Sequence, residues 1–333
     1  MMGQEVTSPL GHTGRRHTDT LQVSDLKVRY GGGSIQVLRG CSFSIAPGEI
    51  LGLAGESGSG KSTAALAIMG LLPRTAILSG SILLEGQELL GLPDRQMRNI
   101  RGRDVAAIFQ ETTTALNPVV RIGDQLVRAV RTHDKGLSKS DAISRVRESL
   151  KRVRLNDPDR VMNTYAGQLS GGMSQRVLIA MALSCGSRLL LADEPTTALD
   201  VSVQEEILVL MRSMADDGLS ILLVSHDLGV LNEITDRLMV LYAGEIVETG
   251  QTRDLITAPQ HPYTQALLGC VPRMHNTGSV RFTEIPERQG GQAFTSGCLF
   301  RDRCSRADAA CESHPELVSS GKQLSRCWHP VGH

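Results

Sequence analysis

The residues from Gly55 to Ser62 read G-E-S-G-S-G-K-S, which is the composition and spacing of a phosphate-binding loop. Glycines let backbone N–H groups approach phosphate oxygens, the lysine adds positive charge toward the β and γ phosphates, and the serine hydroxyl can bind Mg²⁺. An apolar run at 50–54 predicts a buried strand before the loop, and residues 63–69 predict a helix whose N-terminus faces the anion. The sequence therefore predicts a nucleoside triphosphate site formed by Gly55, Glu56, Ser57, Gly58, Ser59, Gly60, Lys61, Ser62 and Thr63.

Two adjacent acidic residues end a second apolar run, which reads R-L-L-L-A-D-E over residues 188–194. Asp193 is placed to hold the magnesium shell together with Ser62, and Glu194 is placed to polarise the water that attacks the γ-phosphate. Taken alone, the two acids could instead open a helix. Their position downstream of a phosphate loop favours the catalytic interpretation.

A second candidate anion site follows from residues 169–175, which read L-S-G-G-M-S-Q before a helix predicted from Gln175 through Cys185. Ser170 and the amides of Gly171 and Gly172 would lie at the N-terminus of that helix, where anions are favoured. Because the chain already has one phosphate loop, we expect this second site to serve the nucleotide of another subunit.

These stretches together resemble the nucleotide-binding subunits of ABC transporters, and the resemblance covers roughly residues 21–270. It implies an α/β fold, namely a P-loop NTPase ABC cassette whose mixed sheet core carries an antiparallel β subdomain and a helical subdomain. It also implies that two subunits bind ATP and magnesium between them, and that loss of the γ-phosphate weakens the pair.

The resemblance assigns roles to further positions, each of which would more often be a packing or surface residue if it stood alone. Tyr30 would stack on adenine, and Gln110 would sense magnesium and contact the membrane partner. Asp200 ends the stretch A-L-D and would cross between subunits, while His226 would contact the γ-phosphate. The implied catalytic residues are Glu194, His226 and Gln110, and the implied magnesium ligands are Ser62, Gln110 and Asp193.

Composition is that of an ordinary α/β protein, with 333 residues, 41% hydrophobic and 3% aromatic. The 35 basic and 35 acidic residues balance, so no nucleic-acid partner is expected. No apolar stretch approaches the roughly twenty residues that span a bilayer. We expect a disordered leader at 1–20, a nucleotide-binding domain at 21–250 with a helical subdomain at about 111–168, and a C-terminal extension at 251–333.

A narrower resemblance rests on residues 261–268, which read H-P-Y-T-Q-A-L-L, and on residues 109–118. Both resemble the ATPases of oligopeptide, dipeptide and nickel importers, and G-L-L-P at 70–73 indicates the first, D-type subunit. Residues 163–168 depart from this group's usual Y-P-H-E or Y-P-H-Q. The resemblance implies a heterodimer with a paralogous ATPase, two transmembrane permeases, an extracytoplasmic solute-binding protein and a peripheral location on the cytoplasmic face of the membrane.

The cargo stays open at this stage between peptides and other small solutes such as nickel, glutathione or opines. A soluble ABC ATPase of translation or DNA repair is the non-transport alternative. It is disfavoured because the chain carries a single cassette and no long coiled-coil insertion.

Four cysteines cluster near the C-terminus with the spacing C-x5-C-x6-C-x15-C: Cys298, Cys304, Cys311 and Cys327. Four thiolates suit a metal site, but the spacing itself leaves an iron–sulfur cluster, zinc or no metal open. The resemblance to oligopeptide and dipeptide ATPases implies a 4Fe-4S cluster. His314 and His329 are expected to be solvated loop residues.

Overall fold

The computed structural model describes residues 19–109, 115–197, 199–270 and 296–331, in which strands and helices are numbered here in chain order. An antiparallel sheet has the strand order β2-β1-β4-β5 among these residues. Its strands are β1 (Leu21–Tyr30), β2 (Ile35–Ile45), β4 (Ile77–Leu84) and β5 (Gln87–Glu88). This sheet corresponds to the expected antiparallel β subdomain.

A bulge in β1 explains why its buried residues do not alternate strictly. Val23 and Leu26 are both buried although they are three residues apart. Between them the pairing with β2 and with β4 shifts register, and Asp25 has a φ of 47°. The extra residue restores the inward direction of the side chains that follow.

The larger sheet has the order β11-β12-β10-β9-β3-β8-β7-β6. It is parallel from β9 to β6. Every residue of β3, β7 and β8 is buried, as in strands covered by helices on both faces. The strands are β3 (Ile50–Ala54), β6 (Val105–Ile108), β7 (Leu189–Asp193), β8 (Ser220–Val224), β9 (Arg237–Tyr242), β10 (Glu245–Gln251), β11 (Val318–Ser320) and β12 (Gln323–Ser325).

β10 pairs with β9 in antiparallel register, so the larger sheet is mixed, as the resemblance implies. Ala243 and Gly244 both have positive φ angles, 47° and 87°, and link β9 to β10. A two-residue turn of this kind joins antiparallel strands. β12 then pairs with β10 in antiparallel register, Glu248 opposite Ser325. The extension therefore adds two strands to the sheet of the cassette.

Helices cover the larger sheet and form the helical region between β6 and β7. They are α1 (Lys61–Ile68), α2 (Asp94–Ile100), α3 (Ile122–His133), α4 (Lys139–Arg152), α5 (Pro158–Met162), α6 (Gly171–Cys185), α7 (Val201–Asp216), α8 (Leu228–Ile234), α9 (Thr252–Thr257) and α10 (Pro262–Gly269). Within the described ranges, no helix combines the length and apolar character needed to cross a bilayer.

Candidate nucleotide-binding site

The phosphate loop joins the end of β3 to the start of α1, as the sequence predicts. Gly55 has a φ of 150°, and a Cβ there would lie 2.3 Å from the carbonyl oxygen of Leu241 in β9. Only glycine fits this approach. The hydroxyl of Ser59 is buried, and no hydrogen-bond partner is found for it in the described part of the chain. Such an atom fits a loop that takes up polar ligand oxygens.

Lys61 lies over the loop with its side chain directed at backbone carbonyls. Its Nζ donates to the carbonyl oxygens of Gly55 at 2.8 Å and Glu56 at 3.0 Å. Burial lowers the pKa of this ammonium group, and the carboxylates of Glu194 and Asp193 act in the opposite direction. The cation is thus held where it can exchange two carbonyl oxygens for phosphate oxygens.

Ser62 and Asp193 meet where α1 begins and β7 ends. The Ser62 hydroxyl is hydrogen-bonded to the Asp193 carboxylate, and burial raises the pKa of that carboxyl. A serine hydroxyl beside a carboxylate, next to a phosphate loop, is a donor set that suits Mg²⁺. The two predicted ligands are therefore neighbours in the folded chain.

Glu194 is held by residues from two loops. Its Oε1 accepts the backbone N–H of His226 at 2.9 Å and lies 2.7 Å from the Nδ1 of the same residue. Its Oε2 accepts the hydroxyl of Thr197 at 3.0 Å. The φ of Glu194 is 53°, a strained value for a residue with a side chain. The structure thus brings together Glu194, the predicted base, and His226, the residue predicted to contact the γ-phosphate.

The serine–glycine stretch forms the first turn of α6, which begins at Gly171 and not near Gln175 as the sequence suggests. Ser170 is the N-cap and accepts the N–H of Met173 at 3.3 Å. Gly172 lies inside the helix, and a Cβ there would come within 2.4 Å of Val203 in α7. Ser170 and Gly171 are exposed, so this helix N-terminus is open to a partner.

The remaining predicted nucleotide contacts are spread over three regions. Tyr30 ends β1 and is half-buried against the core beneath the antiparallel sheet. Asp200 caps α7 by accepting the Val203 N–H at 2.9 Å. Gln110 lies outside the described residues, as does Ala198 of the A-L-D stretch. Residues 1–18 of the predicted leader also lie outside them.

The four tail cysteines gather in one region of the extension. Burial raises the pKa of Cys298, Cys304 and Cys327, the last to about 11. Burial is the main cause for Cys327, and the charges of Cys298, Cys304 and Cys311 raise its pKa further. Two sulfurs accept backbone N–H groups, from Arg306 to Cys304 at 3.4 Å and from His329 to Cys327 at 3.3 Å.

The two tail histidines each lie beside an acidic side chain. The sequence had predicted instead that both are solvated loop residues. The Nε2 of His314 is 2.9 Å from both carboxylate oxygens of Glu245 in β10. The Nε2 of His329 is 2.9 Å from Oδ1 of Asp308. Asp308, His329 and Cys311 bring three potential ligand atoms within 4.8 Å of one another.

Sequence reasoning missed a contact between the extension and the phosphate loop. The hydroxyl of Tyr263 in α10 accepts the backbone N–H of Glu56 at 2.9 Å. Arg303 donates to both carboxylate oxygens of Glu56, each at 2.9 Å. The sequence marks Tyr263 within H-P-Y-T, but nothing local connects it to a residue 207 positions away.

Comparison with known proteins agrees with this geometry. Residues 38–197 match the family described as ABC transporter. The oligopeptide transport ATP-binding protein OppD of Salmonella typhimurium is 40% identical over 315 residues, which cover 93% of this chain and 94% of the relative. The chain belongs to the ABC transporter family. Residues 247–311 further match the C-terminal region of oligopeptide/dipeptide transporters.

Other relatives and solved structures support the same family. The probable D,D-dipeptide transport ATP-binding protein DdpD of Escherichia coli is 42% identical, over 93% of this chain and 96% of the relative. The dipeptide transport ATP-binding protein DppD of Bacillus subtilis is also 42% identical, over 92% of this chain and 94% of the relative. The ATP-binding cassette MJ0796, solved as a dimer with ADP and Pi, is 30% identical with a TM-score of 0.62, over 70% of this chain and 99% of that one. The predicted ABC cassette fold is thereby confirmed.

Proposed function

We propose that this ABC protein is the ATP-hydrolysing subunit that energises a peptide importer. The observation that carries the proposal is the similarity to peptide-transport ATP-binding proteins over more than nine-tenths of the chain, including the C-terminal region. Hydrolysis is supported by the arrangement of Lys61, Ser62, Asp193 and Glu194 around one loop. Dipeptides and oligopeptides are the cargo classes that the relatives' names support.

In this proposal each side chain has a defined task. The loop amides and Lys61 bind the phosphates, and Tyr30 stacks on adenine. Ser62, Asp193 and Gln110 hold Mg²⁺, which supplies charge neutralisation for phosphoryl transfer. Glu194 accepts a proton from the attacking water, and His226 positions the γ-phosphate. These groups act on ATP that is shared with a second subunit.

The ATP site is proposed to close with a partner's serine–glycine turn, because Ser170, Gly171 and Gly172 of this chain begin a second helix, separate from the one at the phosphate loop. We therefore propose a dimer in which Asp200 lies at the subunit boundary. The partner is a paralogous ATPase, as expected for a D-type subunit. Two permeases and an extracytoplasmic solute-binding protein complete the importer, with this chain at the cytoplasmic face of the membrane.

For the tail we propose that Cys298, Cys304, Cys311 and Cys327 hold a 4Fe-4S cluster. Backbone N–H groups donate to two of these sulfurs, as is usual for cluster ligands. Among the described residues, Asp308, Cys311 and His329 bring three potential ligand atoms within 4.8 Å of one another, so Cys311 also lies beside two non-sulfur ligands. The choice of a cluster over zinc follows the resemblance of the tail to that of oligopeptide and dipeptide ATPases, whose four cysteines hold such a cluster.

Anaerobic purification tests the metal proposal. We expect bound iron, bound sulfide and a broad visible absorption that is lost on replacing Cys304 by serine. The matched control is Cys270→Ser, because Cys270 is exposed and is not one of the four clustered cysteines. Colourless protein with one equivalent of zinc would overturn the cluster assignment.

Reconstitution tests the transport proposal. The chain, purified with its permeases and second ATPase into vesicles, should drive accumulation of a labelled peptide when ATP is supplied on the side of the ATPases. The Glu194→Gln complex should bind ATP and accumulate no peptide. Uptake that is the same in both complexes, or independent of ATP, would overturn the proposal.

A further inference from the structure

Glu56 presents an electrostatic problem for any anion that binds this loop. It directly follows Gly55, and its carbonyl oxygen accepts one of the hydrogen bonds of Lys61. Its carboxylate therefore belongs to the loop that must receive a polyanionic triphosphate. An uncompensated negative charge there would repel the phosphates, and the effect would be strong because part of the site is shielded from water.

Arg303 compensates that charge from the C-terminal extension. Its two terminal nitrogens each donate to one oxygen of Glu56 at 2.9 Å, and the arginine side chain is 11% exposed. The fork geometry makes this the strongest class of charged hydrogen bond. The Glu56 carboxylate accordingly raises the pKa of the Arg303 guanidinium group.

An aromatic shell fixes the position of the arginine. The guanidinium carbon lies 5.7 Å from the ring centre of Tyr242 and 5.9 Å from that of Phe300. Phe300 in turn packs edge-on against Tyr242 and Tyr263, with centroids 5.2 and 5.4 Å away. Tyr263 also holds the Glu56 N–H, so both ends of Glu56 are tied to one packed group.

The same turn carries two of the four clustered cysteines. Cys298 precedes Phe300 by two residues, and Cys304 directly follows Arg303. The segment is a short 3-10 turn, Arg301–Arg303, whose carbonyls and amides bond within the Cys298–Cys304 loop. A ligand that joins Cys298 to Cys304 would therefore fix the backbone from which Arg303 extends.

We propose that Arg303 is a positioning residue for ATP binding: it neutralises Glu56, holds the phosphate loop, and makes ATP affinity depend on the state of the four-cysteine site. The inference rests on the proposed function in assuming that the loop binds ATP. It assigns to the extension a task in the nucleotide site of its own subunit. By linkage, bound ATP should also stabilise the four-cysteine site.

A charge-rescue experiment tests the pairing by titrating purified protein with a fluorescent ATP analogue. Arg303→Met should weaken binding of the analogue about tenfold, as expected when one partner of a hydrogen-bonded, partly buried charge pair is removed. The affinity of Arg303→Lys for the analogue should lie between those of wild type and Arg303→Met. The double variant Arg303→Met/Glu56→Gln should bind within about threefold of Glu56→Gln alone, since the repelling charge is gone.

Binding by wild-type protein tests whether the loop binds ATP at all, and binding by the variants tests the role of Arg303. The control Arg301→Met removes an arginine of the same turn that contacts Asp302, and it should leave affinity unchanged. If wild-type protein fails to bind the analogue, the proposed function fails. If Arg303→Met binds like wild type, or the double variant stays as weak as Arg303→Met, the charge-neutralising role is overturned.

Metal removal tests the link to the cysteines with the same readout. Protein stripped of metal by a chelator should bind the analogue more weakly than loaded protein. The Glu56→Gln variant should show no such difference, because its loop needs no neutralising arginine. Equal affinity of loaded and stripped wild-type protein would overturn the link between the two sites.

Discussion

The imidazole Nδ1 of His226 lies 2.7 Å from Oε1 of Glu194, the residue assigned as catalytic base. The same oxygen accepts the backbone N–H of His226, and Thr197 donates to the other oxygen. Both oxygens of the base are thus engaged in this conformation. Because each carboxylate oxygen can accept two hydrogen bonds, Oε2, which accepts one from Thr197, keeps a lone pair for the attacking water while Oε1 is held by His226.

Replacing Glu194 by glutamine should lower kcat for ATP hydrolysis about 100-fold or more, because a general base typically contributes that much. ATP binding should persist, since Lys61 and Ser62 are untouched. Single-turnover hydrolysis of labelled ATP measures the chemical step directly. A glutamine variant that hydrolyses ATP at the wild-type rate would remove Glu194 from the mechanism.

Replacing Lys61 by alanine should weaken ATP binding about 30-fold or more, because a buried charge partner of the phosphates is lost. Equilibrium titration with a fluorescent ATP analogue measures this change. The matched control is Lys27→Ala on the antiparallel sheet, where the lysine pairs with Asp25 at the surface. Equal loss in both variants would contradict a specific role for Lys61.

Replacing Gly172 by alanine should destabilise the protein by about 1–3 kcal/mol, as overpacking does in well-packed contacts. The added Cβ would lie 2.4 Å from Val203 and force α6 away from α7. Gly167→Ala is the control, because its Cβ would meet nothing within 4 Å. Urea unfolding midpoints compare the two, and similar midpoints would show that α6 and α7 are not packed as described.

Stability should fall as the pH is lowered from about 6.5 toward 3, in part because of His261. Burial lowers the pKa of this histidine from 6.5 to about 3, and its Nδ1 accepts the N–H of Tyr263. The unfolded chain takes up a proton in this interval and the folded chain does not. Above pH 6.5 His261 is neutral in both the folded and the unfolded chain, so it no longer makes the free energy of unfolding depend on pH.

The charged groups that face His261 are Glu248, which accepts its backbone N–H at 2.9 Å, and Arg326, whose charge lowers the pKa further. His261→Asn keeps a side-chain acceptor at the helix N-cap and removes the titration. Its free energy of unfolding should therefore depend less on pH than that of wild type between pH 6.5 and 4.5. Parallel curves would exclude His261 as a source of acid sensitivity.

The parts of the site that could be predicted from sequence are those encoded locally. The phosphate loop, β3 and the acids that end β7 follow from adjacent residues with fixed chemistry. The start of α6 was misplaced because glycine disfavours helices, whereas here Gly172 is required by the contact with Val203. At that position the packing of α6 against α7 outweighs the low helix propensity of glycine.

The extension was the least predictable region. β11 and β12 have three residues each, too short for any periodic signal, and they form only because β10 offers an open edge. Arg303 and Glu56 are 247 residues apart, and no pattern in the sequence connects them. Contacts of this range follow from the fold as a whole.

The most direct test of the ATP-sharing account is the mass of the Glu194→Gln protein in solution, measured by light scattering after mixing it with the paralogous ATPase proposed as its partner. With Mg²⁺ and ATP the two should run as one dimer, without nucleotide they should separate, and Ser170→Arg should prevent the association. Protein that binds ATP yet remains monomeric, or that dimerises equally well with Ser170→Arg, would contradict the account.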